Sequence, residues 1–175
     1  TLAKGGSVEI GGGAGSGHSG GAVSLLTGHG SSTSSGSVTV RTLNAGDSGV
    51  SGRLSFSSGT ASVGNSGSIS VGSGASTNGK AGSIRVSVGA GNTAVGGRVT
   101  VFAGESTVSS GGGVAVASGY GTATSSGAFS IKTAASGTEG VSGQINIMTG
   151  STTRGGSGGI ILRSGDASNG PGGTV

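Results

Sequence analysis

One phrase governs this chain: a glycine, one residue, an apolar residue, one residue, a second apolar residue. The leading glycine falls at Gly6, Gly21, Gly36, Gly52, Gly67, Gly82, Gly97, Gly112, Gly127, Gly143, Gly158 and Gly173. The spacing is 15 residues, with two steps of 16. Two positions on stand Val8, Val23, Val38, Leu54, Ile69, Ile84, Val99, Val114, Phe129, Ile145, Ile160 and Val175. Four positions on stand Ile10, Leu25, Val40, Phe56, Val71, Val86, Val101, Val116, Ile131, Ile147 and Leu162. Of the 35 Val, Ile, Leu, Phe and Met residues in the chain, 23 occupy these two slots. A fixed period of this kind is the signature of a repeat architecture and decides the fold question before composition does.

Apolar residues at i and i+2 share one face of an extended strand. The residue between them is polar in many repeats (Ser24, Thr39, Ser55, Ser70, Arg85, Thr100, Asn146), and Ser or Thr often follows at a third inward position (Thr27, Thr42, Ser58, Thr133, Thr149). The remainder of each repeat is small and polar. A strand, a glycine turn, a short return and a second turn make one closed coil. The expectation is therefore an all-β chain, a parallel β-solenoid (β-helix) with one 15-residue repeat per rung and about 11–12 rungs. Rungs would stack at about 4.8 Å, with the two slots as core columns of a thin Val/Ile core. An antiparallel meander is the alternative. Its linkers would be longer than hairpins favour, and like residues stack on like only in the parallel form.

Glycine supplies 45 of 175 residues, charged residues 8% and aromatics 2%, a composition that by itself reads as a flexible linker. The phase-locked apolar pairs oppose that reading, because a solvated linker has no reason to hold them. Each glycine costs roughly 0.5–1 kcal/mol against alanine unless its position needs the missing side chain. Collagen is excluded by the absence of a three-residue glycine period and by the single proline. Net charge is +4 without a basic run or interleaved aromatics, so nothing marks a nucleic-acid partner. No apolar stretch approaches the roughly 20 residues of a membrane span. Cysteine is absent, so there are no disulfides.

A longer period overlies the short one. Gly21–Gly36 recurs as Gly112–Gly127, Val38–Thr42 as Phe129–Thr133, and Gly49–Gly52 as Gly140–Gly143, each offset by 91 residues. Ordinary repeats carry a second glycine seven positions after the first (Gly28, Gly59, Gly74, Gly89, Gly104, Gly119, Gly150, Gly165). The two long repeats have Leu43 and Ala134 there instead. Residues 1–175 thus read as a single continuous array with a six-repeat, 91-residue super-repeat. Thr1–Gly6 matches Thr77–Gly82, and Val175 stands in mid-strand, so the chain is expected to be a fragment of a longer one.

Chemistry-bearing motifs are sparse. Gly74-Ala75-Ser76-Thr77-Asn78-Gly79-Lys80-Ala81 resembles a phosphate-binding loop, but Ala81 replaces the magnesium-binding hydroxyl. Gly15-Ser16-Gly17-His18-Ser19-Gly20 fits the dinucleotide pattern at the frequency this much glycine generates by chance. His18 and His29 and the acids Glu9, Asp47, Glu105, Glu139 and Asp166 occupy unrelated slots in different repeats. On a rod they would not converge on a catalytic or metal site. The sequence is read as a non-enzyme that needs no cofactor.

The phrase Ser/Gly-Gly-x-Val-x-Val-x-Thr/Ser-Gly, followed by a Ser/Thr/Ala/Gly loop, resembles the very long low-complexity proteins of microalgae and other protists. That resemblance implies an extracellular or cell-surface fibre whose partner is itself. A weaker likeness to insect antifreeze solenoids lacks their paired Thr columns: Thr77, Thr107, Thr122 and Thr153 share a column that Ser16, Ser31, Ser62 and Asn92 interrupt. A structural fibre is the leading expectation, and a binding module, either an ice-binding face or an adhesin stalk, is the alternative. Exposed Ser and Thr are candidates for surface glycans, although no Asn-x-Ser/Thr sequon occurs. Leu26, Phe102, Ala117, Met148 and Ile161 fall at outward strand positions, and they are expected to be lateral contacts between bundled rods.

Overall fold

Every repeat turns at the same place. The computed structural model describes residues 5–93 and 95–175, and Thr1–Lys4, compared above with an internal repeat, lie outside them. Counting the leading glycine as position 0, the backbone bends at positions 10 to 12. These are residues 16–18, 31–33, 62–64, 77–79, 107–109, 122–124, 153–155 and 168–170, with a bend also at 92–93. In the two long repeats the turn comes one position later, at 47–48 and 138–140. The extra residue is therefore taken up in the returning loop, where Gly49 N–H donates to the Gly46 carbonyl at 3.4 Å.

What closes each loop is the approach of a leading glycine to the arm before it. The chain divides into two units, Thr1–Val86 and Ser87–Val175, each described by itself. In the first, a Cβ added to the leading glycine would lie 3.2 Å from Thr27 Cβ at Gly36 and 3.1 Å from Thr42 Cγ2 at Gly52. It would lie 3.5 Å from Ser58 Cβ at Gly67 and 3.3 Å from Ser73 Cβ at Gly82. In the second half the same positions meet Val88, Ala103, Ser118, Thr133, Thr149 and Ser164. Position 6 of the preceding repeat is met at each of these glycines, with position 7 nearer still at Gly21, Gly112 and Gly127. Position 6 stands nine residues back in ordinary repeats and ten back in the long ones. Backbone hydrogen bonds seal four of these closures: Gly21 N–H to Gly13 O (2.8 Å), Gly36 to Gly28 (3.1 Å), Gly112 to Gly104 (2.9 Å) and Gly127 to Gly119 (2.9 Å). The last two are the first two displaced by 91 residues. Positive φ follows the same offset, at Gly64 (95°) and Gly155 (97°), and only glycine adopts that backbone without strain.

This geometry corrects the expected fold. Among the described residues there is neither helix nor strand, so the chain is not all-β and there is no parallel β-solenoid or β-helix. A solenoid needs each residue beside its counterpart 15 positions on. Here the leading glycine sits instead against position 6 of the repeat before it, and approaches between residues twelve or more apart are sparse. The physical reason is local. Each closure ties the base of two arms with at most one backbone bond, and no ladder of further bonds carries the pairing along them. Isolated two-stranded pairings are marginal in water, and glycine raises the entropic cost of ordering the arms.

The thin Val/Ile core is corrected with it. No described side chain is buried, and only Gly30, Gly121 and Thr133 are even half-buried. Both columns expected to face inward, from Val8 and Ile10 to Ile160 and Leu162, are exposed.

Candidate self-association surface

The two slots are now surface, although the loop residues Val50, Val63, Val95, Val108 and Val141 are more exposed still. Position 2 is the less exposed of the pair in most repeats, as in Leu54 at 49% against Phe56 at 72% and Ile145 at 51% against Ile147 at 65%. The closure explains the bias. Position 2 lies two residues past the glycine that is pressed against the previous arm, so it inherits part of that arm's cover. By the same register it faces position 4 of the repeat before. Phe56 and Ile69 illustrate this: they line one open cleft together with Ser55, Ser57, Ser58 and Ser68, under the Gly67–Ser58 closure. A second cleft, lined by Arg41, Thr42, Leu43 and Asn44, marks the start of a long repeat's loop.

The lateral set does not separate from the columns. Leu26, Phe102, Met148 and Ile161 are exposed, as is Ala117, but so are their neighbours in the columns. Phe102 at 87% stands next to Val101 at 72%, so inward and outward faces are not distinguished in the isolated chain.

Groups with reactive chemistry stay apart. Among the described residues no three of His, Asp and Glu gather into a set that could hold a metal ion. The Gly74–Ala81 stretch bends at 77–79 without a helix behind it, so it lacks the helix N-terminus on which a phosphate-binding loop depends. His18 lies in a loop tip, where its carbonyl sits against Gly15. No helix among the described residues is long and apolar enough to cross a membrane.

Two features of the loops escaped the sequence reading. One is the pairing of position 6 with the next leading glycine, which the column of Thr and Ser at that position foreshadows. The other is the tip between positions 9 and 12, tied by Ser109 N–H to Ser106 Oγ (3.0 Å) and by the Thr152 hydroxyl to the Gly155 carbonyl (3.0 Å). Where position 9 is glycine, as at Gly30 and Gly121, a side chain would strike the carbonyls of Ser34 and Ser125, at 2.6 and 2.5 Å.

No family model, curated protein or solved structure matches the chain.

Proposed function

We propose that this chain is a structural repeat protein that acts by associating with itself, as part of an extracellular or cell-surface fibre. The observation that carries the reading is area. The chain exposes 17477 Å², whereas a folded monomer of 15.8 kDa exposes about 7,300 Å². The difference, on the order of 10,000 Å², includes every described Val, Ile, Leu, Phe and Met. Burial within one chain does not offset the entropy of ordering 175 residues here, and burial between chains can. Repetition suits that task, because identical slots at a fixed interval let each added chain form the same contacts as the last. Sedimentation velocity over a concentration series, with electron microscopy of the same samples, tests it. Concentration-dependent growth into filaments is expected. A monomer that persists at millimolar chain would overturn the reading.

A further inference from the structure

We propose that positions 2 and 4 of the repeats form the docking surface itself, and that its occupant is a second copy of this chain held repeat against repeat. This rests on the self-association reading above and names its site and register.

Three observations select the occupant. The first is the spacing. A partner that engages one slot pair after another must present apolar groups at the same 15-residue interval, shifted by one residue at the same two places. A second copy does so by construction, whereas an unrelated apolar groove has no such interval to match. The second is charge. None of the slot residues is ionisable, and the cations beside them (Arg41, Arg53, Arg85, Arg98, Lys132 and Arg163) stand no more than one to a repeat, so repulsion between two copies is confined to single flanking residues. The third is area against need. A stable interface buries about 1,200–2,000 Å², well below the roughly 10,000 Å² by which the chain exceeds a folded monomer. A handful of repeats in register supplies it.

The closures prepare the surface. By pressing each leading glycine on position 6 before it, they bring position 4 of one repeat beside position 2 of the next, as Phe56 and Ile69 show across their shared cleft. Phe56 and Ile69 thus make a two-residue apolar knob, and the repeat register offers the same pairing at other closures within each half. Binding at one knob raises the effective concentration at the next, so weak contacts sum into a lasting one.

The chain has no cysteine, which makes single thiols clean reporters. Ile69→Cys places one in a knob, and Ser70→Cys places one between the slots. Both positions are exposed, so neither change removes a buried contact. Under mild oxidation at assembling concentrations, I69C is expected to form inter-chain disulfides about tenfold faster than S70C, because proximity raises the effective thiol concentration. Val114→Cys and Ala115→Cys repeat the test in the second half. Equal rates for the two members of each pair, in wild-type-like assemblies, would overturn the docking surface and leave the fibre reading standing. A wild-type chain that never assembles would overturn both.

Discussion

At the scale of single residues, some glycines are held by what lies beside them and others stand in open space. Gly21 and Gly74 make the contrast. A Cβ on Gly21 would lie 2.9 Å from the Gly13 nitrogen and would disturb the 2.8 Å bond from Gly21 N–H to Gly13 O. A Cβ on Gly74 would meet nothing within 4 Å. Gly21→Ala should therefore open its loop and raise amide exchange at residue 21 about fivefold, the loss of one hydrogen bond worth about 1 kcal/mol. Gly74→Ala should leave exchange unchanged or slow it, since alanine restricts the unfolded chain. Amide exchange followed by NMR reads both; equal behaviour would mean that the closure does not persist in solution. Gly97 is the extreme case, its Cβ position 2.5 Å from Val88 Cγ1, where the other closures present Thr, Ser, Ala or Gly. Gly155 adds a different constraint: its φ of 97° makes Gly155→Ala cost about 1–2 kcal/mol locally.

At the scale of the repeat, the loop is the element that the chain specifies most firmly. Its legibility was uneven. The 15-residue interval, the two 16-residue exceptions and the 91-residue offset could all be read from glycine and valine positions. Each now has a backbone counterpart in the bends, in the four sealing bonds and in Gly64 and Gly155. The strands could not be read, because alternation of Val-x-Val fixes which residues share a face but supplies no partner for the backbone between them. Nor did periodicity choose between stacking on the residue 15 away and folding back on the residue nine away. The first sets like residue on like, the second sets position 4 against position 2, and both keep apolar beside apolar; loop closure favours the nearer partner only weakly. The long repeats offer a test. Deleting Asn44 would turn the first into an ordinary repeat, with Thr42 and the next leading glycine nine apart. Position 6 still meets that glycine at Gly52–Thr42 and Gly143–Thr133, so the deletion should preserve the closure and the assembly. Loss of assembly on sedimentation would show instead that the irregular turn itself is recognised.

At the scale of the whole molecule, the surface is the difficulty that any function must answer. Apolar side chains scattered singly on a surface are ordinary, but here they recur at a fixed interval with nothing beneath them. If copies cover one another through these slots, the energetics should be those of apolar burial divided over many small sites. Replacing both slots of one repeat, Ile69→Ser with Val71→Ser, should then weaken assembly without abolishing it. Burying an aliphatic side chain is worth about 1.5–3 kcal/mol, and partial cover by a second chain gives roughly half of that for each. The critical concentration should rise roughly ten- to a hundredfold for the first altered repeat. Altering a second repeat should multiply that factor rather than saturate it, because distant sites add in free energy. Temperature and salt supply an independent check. Apolar burial weakens on cooling and is strengthened by sulfate, whereas screened charge contacts respond to ionic strength of any kind. With no charged residue in the slots, assembly should therefore fade towards 0 °C, recover on warming and strengthen in sodium sulfate. Sodium chloride at equal ionic strength should change it little. Light scattering during a cooling and warming cycle in each salt would read this directly. Assembly that strengthens in the cold, or that dissolves in moderate chloride, would place its driving force in polar or charged contacts and move the surface away from Val, Ile, Leu and Phe.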